Sequence, residues 1–302
     1  MRAAVLEALY TEAHRDSRVF LVNPDSIGFH CEAYRREMPG QYLNVGIAEQ
    51  NAVGVAAGLA LTGRRPFIFN ILAFNSFRCY EQVRLDICAM NLSVVLVGIG
   101  AGLDYGMFGP SHHTMEDVAL MRSLPGMSVW SPADDKVAAA LVGHCVSVGG
   151  PAYLRLHRSD GSAMYPDGIP DVAGGIEVVR PGKDILIAAT GPMVRRGLEV
   201  AEALAVRGVD AAVVDVFRLK PLPEQRLLEL VRSCGRVVTM EEHLASGGLG
   251  SALLELLSER GVARPVQRFG LPDRFCFACG DRQYLHAVNG LDTATLAARI
   301  ME

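Results

Sequence analysis

Four places in the sequence combine side-chain type and spacing in ways that could support chemistry. The first is Glu49, the lone carboxylate in "NVGIAEQNAVGVAAGLAL" from Asn44 to Leu61, at the start of an apolar, glycine-dotted helical pattern. Position alone makes it a first-turn acid that complements the helix dipole. Burial between apolar surfaces would instead disfavour its charged form, raise its pKa and suit it to share a proton with a basic ring nitrogen. The second is "GPSHHTMED", residues 109–117, with His112 and His113 in a loop just before a helix. Adjacent side chains diverge, so one shared metal is not expected. A polar loop after the carboxyl end of a strand is where open α/β sheets place their ligands, whereas a histidine beside Thr114 can equally act as a cap. The third is "AFNSFRCYEQVR", where Phe74, Phe77 and Tyr80 surround Arg78. Such a stripe is either core or a face for a flat heterocycle. The fourth is "CFAC", Cys276 and Cys279, where a zinc site would need two more ligands and only His286 is near.

Some motifs are missing. No G-x-x-x-x-G-K-[ST] occurs, and no G-x-G-x-x-G follows a strand, so neither a nucleoside triphosphate nor a dinucleotide site is signalled. "SGGLGS", residues 246–251, opens a helix and could cradle an anion, but a tight packing turn is the expected role.

The elements that must position these groups are legible from periodicity. "RVFLVN", "QYLNVG", "RPFIFNI", "LSVVLVGIG", "MSVWSP" and "AYLRLHR" read as strands, with helical patterns between them. Such alternation implies an α/β fold with a mostly parallel, doubly wound sheet. It breaks at "SDGSAMYPDGIPDVAGG", residues 159–175, a Gly-, Pro-, Asp- and Ser-rich stretch expected to be a linker. A second alternation follows from "DILIAAT" to "PVQRFG", and Asp292 or Thr293 could cap a last helix. Two doubly wound domains are therefore expected, at residues 1–158 and 176–302.

Composition bounds the function classes. The 302 residues have room for two cores, half are hydrophobic, and the formal net charge is −4 without a basic stripe. That argues against nucleic-acid binding, and no apolar run approaches a membrane span. Seven scattered cysteines suit a reducing compartment. With no signal-peptide pattern at the start, a cytoplasmic protein is expected.

"YLNVGIAEQNAVGVAAGLALTGRRPF", "RCYEQVRLDICAMNLSVVLVGIGAGLDYGMFGPSHHTMEDVALMRSLPGMSV" and "EEHLASGGLG" resemble the transketolase family over nearly the whole chain. More narrowly, they are similar to the separate small (β) subunit of split, two-gene transketolases. The 2-oxoacid dehydrogenase β subunit and 1-deoxyxylulose-5-phosphate synthase are related. The resemblance implies a thiamine diphosphate pyrimidine-binding domain followed by a transketolase C-terminal domain. It also implies transfer of a two-carbon ketol unit from a ketose or ketose phosphate to an aldehyde or less usual acceptor. A 2-oxoacid dehydrogenase-type β subunit and a non-catalytic assembly module are the alternatives.

By the same resemblance, Glu49 touches N1′ of the cofactor's aminopyrimidine, and the shared proton lets the ring activate the thiazolium carbon. Phe74 stacks on the pyrimidine, and Arg78 lies near a stacking arginine. "NPDSIG" resembles a turn under the thiazolium, with Asp25 or Ser26 as its acid and Ile27 as apolar support. His112 contacts the donor sugar and the developing oxyanion, with His113 beside it at the substrate, and Arg158 grips the acceptor's phosphate. Two positions depart from the family: Phe108 stands where an acid reads a sugar hydroxyl, and Gly100 lies where a histidine is placed. Both changes imply a more apolar acceptor pocket. No G-D-G…N motif anchors a diphosphate through Mg²⁺, since "GDRQ" at 280–283 lacks the rest. A large subunit carrying that motif and holding the Mg²⁺, in an α₂β₂ assembly, is therefore the implied partner. No metal ligand is assigned in this chain.

Overall fold

The computed structural model describes residues 1–24, 31–158, 163–166 and 168–302. The first half runs α1 (Arg2–Arg15), β1 (Val19–Asn23), α2 (Glu32–Glu37), β2 (Tyr42–Asn44), α3 (Glu49–Leu61), β3 (Arg65–Ile71), the single turn α4 (Tyr80–Gln82), β4 (Val95–Ile99), α5 (Asp117–Ser123), β5 (Ser128–Trp130), α6 (Asp135–Val148) and β6 (Ala152–Leu156). The second runs β7 (Glu177–Arg180), β8 (Ile185–Ala189), α7 (Met193–Ala205), β9 (Ala211–Asp215), β10 (Arg218–Lys220), α8 (Glu224–Ser233), β11 (Arg236–Leu244), α9 (Leu249–Glu259), β12 (Val266–Leu271), α10 (Arg282–Val288) and α11 (Thr293–Met301).

Two sheets result, ordered β10-β5-β6-β4-β3-β1-β2 and β12-β11-β8-β9-β7. Every pairing is parallel except β10 with β5 and β7 with β9, each an antiparallel edge. β1, β4, β6, β8 and β9 are buried at every residue, as strands covered by helices on both faces must be. This is the doubly wound α/β architecture expected. Five elements escaped the periodicity. β10 has only three residues and leaves the second half to extend the first sheet, while α2, β7, α8 and α10 are short and were not singled out. One apolar cluster joins the halves, running from Val22, Ile68 and Leu96 through Leu219 to Val214 and Leu253.

Several local expectations are refined. The helix expected near 75–91 contains two π-helical segments, Phe74–Arg78 and Val83–Cys88, and such wide turns recur at functional sites. Gly54 and Gly58 are exposed, with open space where a Cβ would sit, so no backbone among the described residues packs there. The glycines of residues 246–251 do cradle an anion, but it is the protein's own. Glu241 accepts from the Leu249 and Gly250 amides at 2.7 and 2.9 Å, and a Cβ on Gly248 would lie 1.8 Å from its Oε2. Asp292 caps α11 by accepting from the Thr295 amide at 3.0 Å.

Candidate active site

The first sheet brings the singled-out residues to one edge. Glu49 follows β2, Phe74 and Arg78 follow β3, His112 follows β4, and Arg158 follows β6, all at carboxyl ends of parallel strands. That is where α/β sheets present their ligand sites. Glu49 enters through a tight turn. Gly46 has φ +74° and donates its amide to Asn44 Oδ1 at 2.8 Å, a conformation that a residue with a side chain adopts only with strain.

Glu49 is buried, 4 % exposed, at the first residue of α3. Its Oε2 accepts from Arg78 Nη1 at 2.7 Å and its Oε1 from Asn70 Nδ2 at 3.3 Å. The guanidinium of Arg78 also lies 4.5 Å from the centre of the Phe74 ring. These contacts correct the expectation of a raised pKa. Burial does push the carboxyl upward, but Arg78, Glu49's own backbone N–H and Asn70 together outweigh it, and the net shift is downward. Phe74 is half-buried, with one face toward Arg78. A carboxylate beside an aromatic face is a receptor for a flat cation, and in this structure the arginine occupies it.

His112 stands at the end of a 3-10 turn, Gly109–Ser111, among aromatic rings. Its ring centre is 5.4 Å from Phe74, 5.5 Å from Tyr105 and 4.8 Å from Phe108. Ser111 Oγ donates to the Phe108 carbonyl at 3.1 Å and lies 2.9 Å from His112 Nδ1. The serine hydroxyl thus links the loop backbone to the His112 ring at Nδ1. The loop is tied back by Thr114, which donates its amide to Gly102 O at 2.9 Å and its hydroxyl to Gly100 O at 3.0 Å.

His113 diverges from His112, as adjacent side chains must. It is 3 % exposed, neither ring nitrogen has a hydrogen-bond partner among the described residues, and burial holds its pKa low. It faces an apolar pocket of about 410 Å³ shared with Phe77, Met115, Leu120 and Phe275. Arg158 is exposed, and its guanidinium lies 5.5 Å from the Tyr105 ring centre. Asp25 and Ile27, with Ser26, lie outside the described residues.

Behind the site runs a buried charged network that the sequence did not reveal. Arg155, 2 % exposed, donates to Asp117 Oδ2 at 2.8 Å, to Thr114 O at 3.1 Å and to Glu242 O at 3.0 Å. Tyr153 donates to the same Asp117 oxygen at 2.9 Å. Glu242 accepts from the Leu103 amide at 2.7 Å, and its Oε2 lies 2.5 Å from His286 Nε2 and 3.1 Å from Arg282 Nε. Burial works against its charge, yet Arg282 and His286 hold its carboxyl far below the usual range. Arg282 also pairs with Asp104, which burial nonetheless pushes up to about 6. Gly102 (φ +62°) admits this crossing, because a Cβ there would lie 2.3 Å from Glu242 Oε1. Glu242 sits in "EEHL", and only three-dimensional proximity marks it. Cys276 is buried and takes a 3.5 Å contact from Asn289 Nδ2, Cys279 is exposed, and His286 is engaged with Glu242. Among the described residues no group of three His, Cys, Asp or Glu could hold a metal ion.

Residues 1–162 match the transketolase pyrimidine-binding domain, and residues 174–296 match the transketolase C-terminal domain. The chain belongs to the transketolase family. It is 36% identical over 293 residues to a 6-deoxy-6-sulfo-D-fructose transketolase subunit of Clostridium sp., covering 96% of this chain and 90% of that one. It is 32% identical over 303 residues to an apulose-4-phosphate transketolase subunit of Phocaeicola vulgatus, covering 100% and 96%. A 1-deoxy-D-xylulose-5-phosphate synthase of Geobacter metallireducens is 38% identical, but the match spans only 47% of that longer transketolase relative. Among solved structures, one described as a split gene transketolase, inactive beta4 tetramer, superposes with a TM-score of 0.87 at 35% identity, covering 99% of this chain and 96% of that one.

Proposed function

We propose that this chain is the small subunit of a split, thiamine diphosphate-dependent transketolase that moves a two-carbon ketol unit between sugars, active with a large subunit. The observation that carries the reading is Glu49: a carboxylate buried at the start of α3 and joined through Arg78 to the Phe74 ring, whose centre lies 5.4 Å from that of His112. The residues present fit the pyrimidine half of the cofactor, since Arg78 already makes the two contacts that a flat protonated ring would seek, a charged one to Glu49 and a facial one to Phe74. Thiamine diphosphate, when bound, supplies the carbon nucleophile and electron sink for breaking and making the carbon–carbon bond.

The chain's own residues orient and tune that chemistry. Glu49 would hold a proton shared with a bound ring's nitrogen at the place Arg78 takes in this structure, and Phe74 would give that ring a stacking face. His112 meets a substrate hydroxyl at Nε2 and, once protonated, donates to an oxygen where negative charge develops. His113 shapes the wall behind it. Arg158 is assigned to an anionic end of the sugar. The relatives' substrates, a sulfonated ketose and a ketose phosphate by name, both carry such an end. Phe108 in place of an acid favours an acceptor with fewer hydroxyls near His112. Mg²⁺ and the diphosphate are assigned to the large subunit through a G-D-G…N motif, in an α₂β₂ assembly in the cytoplasm. The segment with Asp25 and Ile27 is assigned to the thiazolium side, residues 1–158 to the pyrimidine-binding domain, 159–175 to the linker and 176–302 to the C-terminal domain.

Glu49→Gln tests the reading. With the purified pair, thiamine diphosphate and Mg²⁺, ketol transfer should fall by about 10² or more, the scale of a lost acid–base group, while size-exclusion chromatography shows the assembly intact. Retention of activity within twofold would overturn it.

A further inference from the structure

The segment leading into α10 packs directly on the loop after β4. The Gly280 amide donates to the Gly106 carbonyl at 3.2 Å, and a Cβ on Gly106 would lie 2.2 Å from the Gly280 oxygen, so the approach needs a glycine. Asp281 then caps α10 by accepting from the Tyr284 amide at 2.8 Å. This crossing delivers Arg282, the first residue of α10, from the second half of the chain to the loop that precedes His112.

Arg282 engages every nitrogen of its guanidinium there. Nη1 donates to the Arg158 carbonyl at 3.0 Å, Nη2 donates to Asp104 Oδ1, and Nε lies 3.1 Å from Glu242 Oε2. The side chains of Asp104 and Glu242 are buried, at 2 % and 0 % exposed. The charge of Arg282 is thus met inside the protein, and its remaining contact is the Arg158 backbone. Asp104 closes the ring, because its Oδ2 accepts from the Arg158 amide at 2.7 Å. Arg158 lies beyond the last ladder pair of β6, Leu156 with Ile99, yet both its N–H and its C=O are held by side chains. Tyr105, next to Asp104, puts its ring 5.5 Å from the Arg158 guanidinium.

We propose that Arg282 and Asp104 are positioning residues for Arg158, through which the second half of the chain sets how tightly the site holds the anionic end of its sugar. The inference rests on the assignment of Arg158 to that anionic end. A long arginine side chain loses rotamer freedom on binding. A fixed backbone with an aromatic face beside the guanidinium reduces the ordering left to be done. Releasing the backbone should weaken the anion contact and leave the chemistry at Glu49 and His112 in place.

The test has two arms. In the first, the full chain alone, carrying isotope-labelled arginine, is titrated with inorganic phosphate. The NMR signal of the Arg158 Nε–H, assigned by its loss in Arg158→Gln, is followed. The half-saturating phosphate concentration should rise at least threefold in Asp104→Asn and in Arg282→Gln. Burial pushes Asp104 up to about 6, so a neutral isostere is close to a form this fold already holds. Should Arg282→Gln fail to fold by circular dichroism, Asp104→Asn therefore carries the test. In the second arm the assembled pair receives D-glyceraldehyde 3-phosphate or D-glyceraldehyde as acceptor, with the ketose donor saturating for each variant. KM for the phosphorylated aldehyde should rise at least threefold, while kcat and KM for the neutral aldehyde stay within twofold. A merely structural role would move both acceptors alike, and that result overturns the proposal. So does a phosphate midpoint unchanged in the folded variants. A wild-type Arg158 signal indifferent to phosphate removes the assignment of Arg158 and this inference with it, and leaves Glu49 to its own test.

Discussion

The guanidinium of Arg78 sits on Glu49 and over Phe74, and that one placement explains why Glu49 carries a lowered rather than a raised pKa in the free chain. Burial alone would have raised the acid's pKa, but a cation at 2.7 Å favours the anion. Glu49 therefore adds stability above its unfolded value of 4.5, and that contribution is lost as pH falls through the lower folded value. Removing the cation should reverse the order of effects. In Arg78→Met, the Glu49 titration followed by carboxyl-carbon NMR should move upward, since burial then faces only the backbone N–H and Asn70. A midpoint that stays where it was would mean that Arg78 does not set the charge of Glu49. Glu49, Phe74 and His112 were legible because each stands in a distinctive local string. Asn70 and Tyr105 were not. They come to the site from β3 and from the loop after β4, and no spacing in one dimension joins them to Glu49 or His112.

Helices and strands set these contacts through where they end. β2, β3, β4 and β6 all finish at the same edge of the sheet, so the segments that follow four separate strands converge there. The π-helical turn from Phe74 to Arg78 puts the aromatic and the guanidinium on one side of the helix that follows β3. Behind this edge, β6 and α5 are locked by Arg155 and Asp117, both with buried side chains. Their attraction has to offset the desolvation of two charges, so the pair is poor evidence of net stability, yet breaking it leaves Asp117 buried and alone. Arg155→Met should cost about 3–5 kcal/mol in urea unfolding. A loss below about 1 kcal/mol, the range of exposed pairs, would show that water reaches the site. Long elements were readable from their apolar pattern, a continuous run in a strand buried on both faces or a helical repeat over three turns. β10 was not, because three residues carry no period, and it pairs with β5 across nearly 90 residues of intervening chain.

At the scale of the whole molecule, this polypeptide matches the transketolase pyrimidine-binding domain and has, among its described residues, no group of three His, Cys, Asp or Glu fit for a metal ion. Magnesium prefers octahedral oxygen ligands shared with phosphate, and a diphosphate without its metal would bring uncompensated charge to a surface whose net charge is −4. Gly54 and Gly58 leave an exposed, side-chain-free strip on α3, directly beyond Glu49, where a second chain's backbone can come close. Affinity for thiamine diphosphate should therefore belong to the pair of subunits. Calorimetry on this chain alone should detect at most weak binding that is indifferent to chelator. The reconstituted pair should bind at least 100-fold more tightly, about 2.8 kcal/mol by the tenfold-per-1.4 rule, and lose that gain when EDTA removes Mg²⁺. Tight, EDTA-insensitive binding by the isolated chain would contradict the division of the site, because the ring contacts of Glu49 and Phe74 would then suffice without a diphosphate anchor.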